Sequence, residues 1–483
     1  MEIQKLQNLF ARHPGVKALA ALLEKDTENV IGLAGLQGSC APLVFAALAV
    51  KAPQVLKVPY VFVLDDEEEA GYFYHDLTRL LGERQVLFFP SSYKRAIKFG
   101  QRDAGQEILR TEVLARLTDI SHSRIPIRSL FAIVTYPQAL AELVVTRQEL
   151  SGQTLSVGVG ECVDTMSLQE SLIGFGFRRT DYVYEPGQFA VRGSIIDVWS
   201  FSCDLPFRID FFGDEVDSIR TFETESQLSQ DRRERVTIVP EMNSGDFSRE
   251  SFLAFLPRES VLVVKDPVFL LDSIEQTLAE GFSQQAKAVQ DPATGQAGML
   301  CEDALLVKPD VFRRQMLALR RIEMRPSSSA SISSSLIQFN SHPQPVFRGS
   351  FDLLITAIRD LQAAGVRLYI SSDSSKQTAR LESIFREGET GISFTPLDGA
   401  LHEGFIDDDL RVAVFTDHQI FDRFHKYNLK SDKARGGKVA LTLKEIQQFE
   451  IGDYVVHVDH GIGKFGGLVR MPLPDGGHQE MII

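Results

Sequence analysis

The sequence is poor in the residues that build metal sites and covalent crosslinks. The four cysteines are Cys40, Cys162, Cys203 and Cys301. They form no C-x-x-C pair, which argues against both a zinc–cysteine site and a disulfide framework. The ten histidines show neither H-x-x-x-H nor H-E-x-x-H spacing, and His457 and His460 are expected in a turn. We therefore expect no metal site.

Long apolar runs and excess positive charge are also lacking. No apolar run approaches the roughly 18 residues of a membrane span, and the N-terminus MEIQKLQNLFARHPG lacks the order of a signal peptide. With 51 Lys+Arg against 65 Asp+Glu the net charge is −14, which weakens binding of nucleic acid by net charge but leaves a local basic patch open. We expect a cytoplasmic monomer with no membrane contact and little or no DNA binding.

The order of predicted elements indicates a multidomain α/β and α+β protein. Apolar strands alternate with helices from residue 29, which predicts a parallel sheet covered on both faces. After Thr154 short strands follow one another directly, and Gly213-Asp214 predicts a hairpin in an antiparallel insertion. A second α/β pattern begins at Phe347. The expected ranges are 1–145 and 229–340 (parallel-sheet domain), 146–228 (insertion), 345–430 (small α/β domain), 431–448 (linker) and 449–483 (start of a β-barrel).

The turn after the first predicted strand has the position of a phosphate-binding loop but not its chemistry. Its residues are Gly35, Gly38, Ser39, Cys40, Ala41 and Pro42. When this segment is aligned with the phosphate-loop motif G-x-x-x-x-G-K-[ST], Cys40 stands at the second glycine and adds a Cβ. Ala41 replaces the lysine and so removes the cation, and Pro42 replaces the Ser/Thr and so removes the magnesium-binding hydroxyl and a backbone N–H. We predict an inactive loop that binds no nucleotide for hydrolysis; weak anion binding at the helix N-terminus stays open.

An acidic run and an arginine cluster are the other candidates. Asp65–Glu69 follows a strand, as magnesium-binding carboxylates do, but is interpreted as the first turn of a helix. Arg178, Arg179 and Arg192 lie near EPGQFAVRGSIIDV, where neighbouring isoleucines imply one apolar side chain outward. Arginines beside exposed apolar residues suit a protein interface; arginines merely solvated at strand ends are the alternative.

Four segments carry a family resemblance. EPGQFAVRGSIIDVW (Glu185–Trp199) and LPFRIDFFGDEVDSIRTFE (Leu205–Glu223) resemble the module shared by the excision-repair helicase UvrB and the bacterial transcription-repair coupling factors. GFIDDDLRVAVFTDHQIFDR (Gly404–Arg423) and FEIGDYVVHVDHGIGKFGGLVRM (Phe449–Met471) resemble coupling factors, the latter the opening of their CarD-like RNA-polymerase interaction domain. The degenerate loop is also typical of that family, whereas UvrB keeps an intact one.

The resemblance implies a RecA-like first domain, a Tudor-like barrel at the C-terminus, and two protein partners. UvrA would bind the insertion at Arg178, Arg192 and Ile196, with Arg179 adjacent. The RNA polymerase β subunit would bind an edge strand of the barrel that includes Met481, Ile482 and Ile483, by β-augmentation, and this barrel is expected to be truncated at Ile483.

The same resemblance implies that the ATP-driven translocase motor lies beyond Ile483. ATP and magnesium would belong to that motor, so the 483 residues are expected to need no cofactor and to have no ATPase activity. One alternative is a UvrB-like, ATP-dependent DNA-unwinding enzyme. Another is a CarD-like regulator, which would leave the first ~450 residues without a role.

Overall fold

A computed structural model describes most of the chain. The described residues are 3–25, 28–92, 104–122, 131–224, 226–242, 247–280, 305–325, 335–388, 391–423, 425, 427, 429, 452–457, 461–472 and 478–482. The chain divides into two compact units, Met1–Ser431 and Asp432–Ile483. Among the described residues no helix combines the length and the apolar character that crossing a bilayer requires.

Helices are numbered in chain order. They are α1 (Ile3–Phe10), α2 (Pro14–Lys25), α3 (Cys40–Lys51), α4 (Glu67–Leu81), α5 (Ala104–His122), α6 (Pro137–Ala141), α7 (Arg147–Gly152), α8 (Thr165–Gly174), α9 (Phe252–Phe255), α10 (Pro267–Glu280), α11 (Pro309–Ala318), α12 (Phe351–Ala363), α13 (Ser375–Glu387) and α14 (Asp417–Ile420). A short 3-10 helix spans Pro53–Leu56.

Strands are numbered in the same way. They are β1 (Val30–Ala34), β2 (Pro59–Val63), β3 (Val86–Phe89), β4 (Phe131–Thr135), β5 (Leu143–Val145), β6 (Leu155–Gly158), β7 (Arg178–Arg179), β8 (Gln188–Arg192), β9 (Ile195–Val198), β10 (Phe207–Phe212), β11 (Glu215–Phe222), β12 (Ser229–Arg233), β13 (Arg235–Ile238), β14 (Arg249–Ser251), β15 (Val261–Val264), β16 (Arg320–Glu323), β17 (Ser335–Gln338), β18 (Ser341–Pro343), β19 (Arg367–Ser372), β20 (Thr395–Asp398), β21 (Phe405–Asp407), β22 (Val412–Thr416), β23 (Tyr454–His457), β24 (Gly461–Lys464), β25 (Leu468–Pro472) and β26 (His478–Ile482).

A seven-stranded parallel sheet forms the core of the first unit. Its strand order is β17-β1-β16-β15-β2-β4-β3, and every neighbouring pair is parallel. The central strands PYVFV, FAIVT and VLVV are buried along their whole length, as expected when helices cover both faces of a sheet. The predicted parallel sheet is confirmed, and α3 is buried over most of its surface.

The insertion is a mainly antiparallel module with its own core. Its six strands run in the order β12-β11-β10-β9-β8-β7, in which only the short edge strand β7 is parallel to its neighbour β8. The predicted hairpin at Gly213-Asp214 joins β10 to β11. A cluster of buried side chains from β8 to β11, including Phe189, Ile196 and Ile209, packs with α8 beneath the sheet.

A second small α/β sheet is packed against the first domain within the same unit. Its order is β18-β21-β22-β19-β20, parallel between β19 and its two neighbours and antiparallel at β21. Leu354, Leu381 and Phe385 of α12 and α13 fill one core. Side chains from the sheet, including Phe405 and Val414, belong instead to the main core of the first domain. Each face of this sheet is therefore covered, one by its helices and the other by the first domain.

The second unit is described as two antiparallel hairpins. β23 pairs with β24 and β25 pairs with β26. Phe465 lies between the hairpins in sequence and is buried. Its backbone exchanges hydrogen bonds with Gly452 and Asp453, which fixes the chain around the first hairpin.

Candidate functional site

The loop between β1 and α3 is closed by the protein's own chain. Gly35 and Gly38 have φ of +81° and +50°, a region that favours glycine. A Cβ at Gly35 would overlap the backbone oxygen of Phe339, and a Cβ at Gly38 would lie 3.0 Å from the backbone oxygen of Gly404. These glycines therefore permit close approach of another stretch of polypeptide, in the place where a phosphate-binding loop would approach its nucleotide.

Backbone groups of the loop are bonded to the second α/β domain. Gln37 N donates to Ser341 Oγ at 2.9 Å, and that hydroxyl donates to the carbonyl of Gly35 at 2.6 Å. Ser39 N donates to the carbonyl of Glu403 at 3.1 Å. In a phosphate-binding loop such N–H groups face the anion. Here Gln37 and Ser39 have protein acceptors instead.

A buried carboxyl group completes this contact. Asp76 of α4 accepts a hydrogen bond from Ser39 Oγ at 2.5 Å and another from His402 N at 2.8 Å. Ser39 Oγ in turn accepts from Glu403 N at 2.9 Å. Burial raises the pKa of Asp76 to about 7, against the lowering effect of these hydrogen bonds. The carboxyl thus joins α4, the loop and the 402–404 segment.

The rest of the loop lacks groups for nucleotide chemistry. Cys40 and Pro42 are buried and Ala41 is half-buried. Burial raises the pKa of the Cys40 thiol well above its usual value, so this sulfur stays protonated and unreactive. The loop geometry supports the prediction of an inactive loop, and its lack of nucleotide binding stays a prediction.

The acidic run beside the loop has structural partners. Asp66 caps α4 by accepting from Glu69 N at 2.9 Å. Lys265 Nζ lies 2.8 Å from Asp65 Oδ2 and also pairs with Glu69. The interpretation of this run as the start of a helix is confirmed. Burial raises the pKa of nearby Glu403, and the negative charge of Glu69 raises it further. These neighbouring carboxyl groups disfavour the binding of a negatively charged triphosphate.

The predicted arginine cluster lies at one edge of the inserted sheet. Arg178 of β7 pairs with Gln188 of β8, and Arg192 lies four residues further along β8. Because side chains alternate across a strand, Arg178 and Arg192 share the outer face. Their side chains are 68% and 35% exposed. Arg179 is also exposed but alternates to the opposite side of the edge strand.

Arg192 is held in place by neighbours on the same outer face. It forms an ion pair with Asp197 of β9, and its guanidinium carbon lies 5.0 Å from the ring centroid of Tyr182. Asp197 is buried and is also bound by Arg208 through two hydrogen bonds of 2.8 and 2.9 Å. The Asp197 carboxylate therefore fixes two arginines, which lowers the entropy that Arg192 would lose on binding.

Two tyrosines extend the surface and were missed from the sequence. Tyr182 and Tyr184 are 44% and 59% exposed, with ring centroids 6.3 Å apart. Tyrosine and arginine are enriched at the centres of protein interfaces. The signal available in the sequence was TDYVYEPG, two aromatic residues in a polar stretch directly before the arginine motif. We call Arg178, Tyr182, Tyr184 and Arg192 the outer-face patch.

The expected surface role of Ile196 needs correction. Ile196 is 1% exposed and belongs to the core of the insertion. It pairs with Val191, whereas Ile195 pairs with Arg192 and is half-buried on the outer face. The sequence correctly predicts that one of the two isoleucines points outward, but that residue is Ile195.

The C-terminal candidates are only partly within the described residues. Met481 and Ile482 belong to β26, opposite Val469 and Leu468 of β25, and Ile483 lies outside the described residues. Among the described strands β26 pairs only with β25. The other edge of β26 therefore pairs with no strand among the described residues. Addition of a strand from a partner protein requires such an unpaired edge.

Three histidines that are distant in sequence meet near the closed loop. One ring nitrogen from each of His402, His418 and His425 lies within 4.8 Å of the other two. The expectation of no metal site rested on spacing within single segments. A cluster assembled from a loop, a helix and a following segment leaves no such spacing, so no sequence signal identified it.

Two family models match the segments described above. The UvrB interaction domain matches residues 155–243, and the CarD-like/TRCF RID domain matches residues 449–483. The first match begins and ends later than the expected range 146–228. It includes β12 and β13, which pair with β11 and β6. The chain thus contains one segment that matches the UvrB interaction domain and another that matches the CarD-like/TRCF RID domain.

Over most of its length the chain is similar to curated transcription-repair-coupling factors. It is 22% identical to that of Bacillus subtilis (strain 168) over 519 residues, covering 93% of this chain and 43% of the relative. The Haemophilus influenzae factor is 24% identical over 462 residues, covering 82% of this chain and 39% of the relative. The chain spans about two fifths of the length of these relatives. The family resemblance seen in the sequence is confirmed.

Replacing Gly35 by alanine tests the closed loop. Gly35 and Gly82 both have positive φ, but only Gly35 would bring a Cβ against another backbone, because nothing lies within 4 Å at Gly82. An alanine at either positive-φ position costs about 1–3 kcal/mol of backbone strain, with Gly82 at φ 93° and ψ 151°. We expect Gly35→Ala to lower the free energy of unfolding by about 2 kcal/mol more than Gly82→Ala. Chemical denaturation measures both, and equal losses would contradict the close contact.

Asp76 predicts a specific pH dependence of stability. Because its pKa is raised from 3.8 to about 7 on folding, the folded chain holds a proton that the unfolded chain releases. The free energy of unfolding should therefore fall as pH rises between those values, by at most about 1.4 kcal/mol per pH unit. Asp76→Asn cannot titrate and should lose this component.

The measurement compares denaturation midpoints at about pH 5 and about pH 8. Asp66→Asn, on the exposed cap of the same helix, is the control and should keep the pH dependence of the parent. Equal pH dependence in the parent and Asp76→Asn would exclude Asp76 as its source.

Proposed function

We propose that this chain is a non-catalytic docking region of a transcription-repair coupling factor. It recruits UvrA through the inserted β-rich module and contacts the RNA polymerase β subunit through the second unit. The whole protein would then act on polymerase stalled at a DNA lesion, displacing it with an ATP-driven double-stranded DNA translocase outside residues 1–483. The similarity to transcription-repair-coupling factors over most of the chain supports this role.

The outer-face patch is the observation that carries the proposal. It lies within the residues matched by the UvrB interaction domain and combines two exposed tyrosines with two arginines on one face. Arg192 is oriented by Asp197 and Tyr182, so little side-chain freedom remains to be lost when a partner binds. Ordered arginine and tyrosine side chains are the residue types that dominate interface energetics.

The polymerase contact is proposed from the edge of β26. The CarD-like/TRCF RID match covers this strand, and its second edge has no partner among the described strands. A strand of the polymerase would add to this edge through backbone hydrogen bonds along Met481 and Ile482.

The proposal also covers the architecture of the two units and the state in which the region works in the cell. The first domain would be RecA-like with a lost nucleotide site, and the second unit would be the start of a Tudor-like barrel. The region would work as a cytoplasmic monomer without a nucleotide cofactor and with little or no DNA binding. The acidic net charge of −14 is consistent with the last point.

Binding to UvrA provides the direct test. Arg178→Ala and Arg192→Ala should each weaken the complex by about 2 kcal/mol or more, which is about thirtyfold in Kd. Asp197 keeps its two hydrogen bonds from Arg208 when Arg192 is removed, so the fold should survive. Calorimetry or surface plasmon resonance with purified UvrA measures the affinity.

Arg233→Ala is the matched control. Arg233 is an exposed arginine with a weak ion pair, at 3.8 Å from Asp231, in the strand at the opposite edge of the same sheet. It should bind UvrA like the parent. If both patch variants also bind like the parent, the outer-face patch is not the docking surface.

The alternative, a UvrB-like ATP-dependent enzyme, makes the opposite prediction for nucleotide. Because the N–H groups of Gln37 and Ser39 already have protein acceptors, we expect no saturable ATP binding with a Kd below about 1 mM. Isothermal titration with ATP and magnesium measures this. Saturable binding that Gly38→Ala abolishes would favour the enzyme.

A further inference from the structure

The histidine cluster joins three separate parts of the first unit. His402 precedes β21 in the segment that closes the loop, His418 lies in α14, and His425 follows that helix. His418 is buried and the other two are half-buried. The rings of His418 and His425 are stacked with centroids 4.4 Å apart, and the ring of Tyr72 stacks on His402. The three imidazoles are therefore held close together by packing.

Each histidine of the cluster has an unsatisfied nitrogen. Among the described residues, Nδ1 of His402, His418 and His425 is buried without a hydrogen-bond partner. An unsatisfied buried polar atom costs about 1–3 kcal/mol, and such atoms are uncommon in folded proteins. Three of them in a cluster in which one ring nitrogen of each histidine lies within 4.8 Å of the other two indicate a ligand that satisfies all three together.

The tautomer of His418 is fixed by the backbone. Its Nε2 lies 2.6 Å from the carbonyl oxygen of His402. A carbonyl only accepts, so Nε2 carries the proton and Nδ1 presents a lone pair. Asp417 Oδ1 is 3.9 Å from that Nδ1, too far for a hydrogen bond. A histidine that donates one N–H to a backbone carbonyl and offers the other nitrogen has the arrangement of a metal ligand.

The charge state of the cluster also suits a cation. Burial lowers the pKa of His402 to about 3 and is also the largest cause lowering the pKa of His418 and His425. Burial therefore favours the neutral form of each imidazole, which is the form that binds a metal ion.

We propose that His402, His418 and His425 bind one divalent transition-metal ion of the zinc class through their Nδ1 atoms. Imidazole nitrogens suit Zn²⁺, Cu²⁺ and Ni²⁺, and three such ligands with a water molecule complete a tetrahedral site. His75 is a candidate for the fourth position. Its Nε2 is likewise buried without a partner among the described residues, and its ring centroid lies 5.2 Å from that of His425.

A bound ion would fix the segment through which the chain leaves the first unit. Tyr72 Oη donates to the carbonyl of His425 at 2.7 Å. Tyr427 packs so closely on Gly71 that a Cβ there would overlap its ring, and Leu429 is buried. The first unit ends at Ser431. The ion would tie this exit segment to α14 and to the 402–404 segment, independently of the proposed docking function.

Metal titration of the untagged full chain tests the site. Co²⁺ is the optical probe, and we expect one equivalent to produce the visible absorption of a tetrahedral nitrogen site, displaced by one equivalent of Zn²⁺. His402→Ala and His425→Ala should each weaken Co²⁺ binding by at least about tenfold. Zn²⁺ should raise the melting temperature of the parent and leave that of the variants unchanged.

His342→Ala is the matched control. His342 is an exposed histidine 2.9 Å from Asp408 and lies outside the cluster. This variant should bind Co²⁺ like the parent. Circular dichroism identifies any variant that fails to fold. If His402→Ala fails to fold, His425→Ala still tests the site, because His425 is only half-buried. Absence of stoichiometric Co²⁺ binding, or parent-like affinity in a folded His425→Ala, would overturn the proposal.

Discussion

The hydrogen bonds of Asp76 are the constraint on which the arrangement of the first unit depends. This buried carboxyl accepts hydrogen bonds from Ser39 Oγ and from the backbone N–H of His402. A helix of the first domain, the loop between β1 and α3, and the second α/β domain therefore meet at one group. A buried carboxyl without such partners would be strongly destabilising. The same contact places Glu403 across the loop and positions His402 for the histidine cluster.

The contacts that join the loop to the second α/β domain use the groups that a phosphate-binding loop needs for its ligand. A loop that binds phosphate must leave its N–H groups open and its glycines facing the ligand. Here Gly35 and Gly38 face Phe339 and Gly404 instead, and the loop N–H groups of Gln37 and Ser39 donate to the second α/β domain. The two α/β domains are held together by contacts that nucleotide binding and release would break.

The fold was predictable where a local pattern dictates it. A continuous apolar run such as Tyr60–Leu64 predicts a buried parallel strand, and β2 lies there. The dipeptide Gly213-Asp214 predicts the β10–β11 hairpin. The absence of a cation at Ala41 and of a hydroxyl at Pro42 is likewise visible in the local sequence, and the inactive loop inferred from it stays a prediction. Which of Ile195 and Ile196 points outward was not predictable from the sequence. The alternation of side chains along a strand fits either choice, and only the strand register decides between them. The pairing of Asp76 with His402 and the histidine cluster depend on how two domains meet, which local patterns do not encode.

The insertion uses a buried charge to organise an exposed surface. Asp197 is buried on the outer face of the sheet and binds Arg192 and Arg208, so the cost of burying its charge is offset by two guanidinium groups. One of these, Arg208, stays largely covered, and the other reaches the surface beside Tyr182. A hydrophobic residue at position 197 would leave the largely covered Arg208 without its carboxylate partner and would leave Arg192 free to move. The carboxylate thus has two roles, because it neutralises Arg208 within the sheet and orients Arg192 in the outer-face patch.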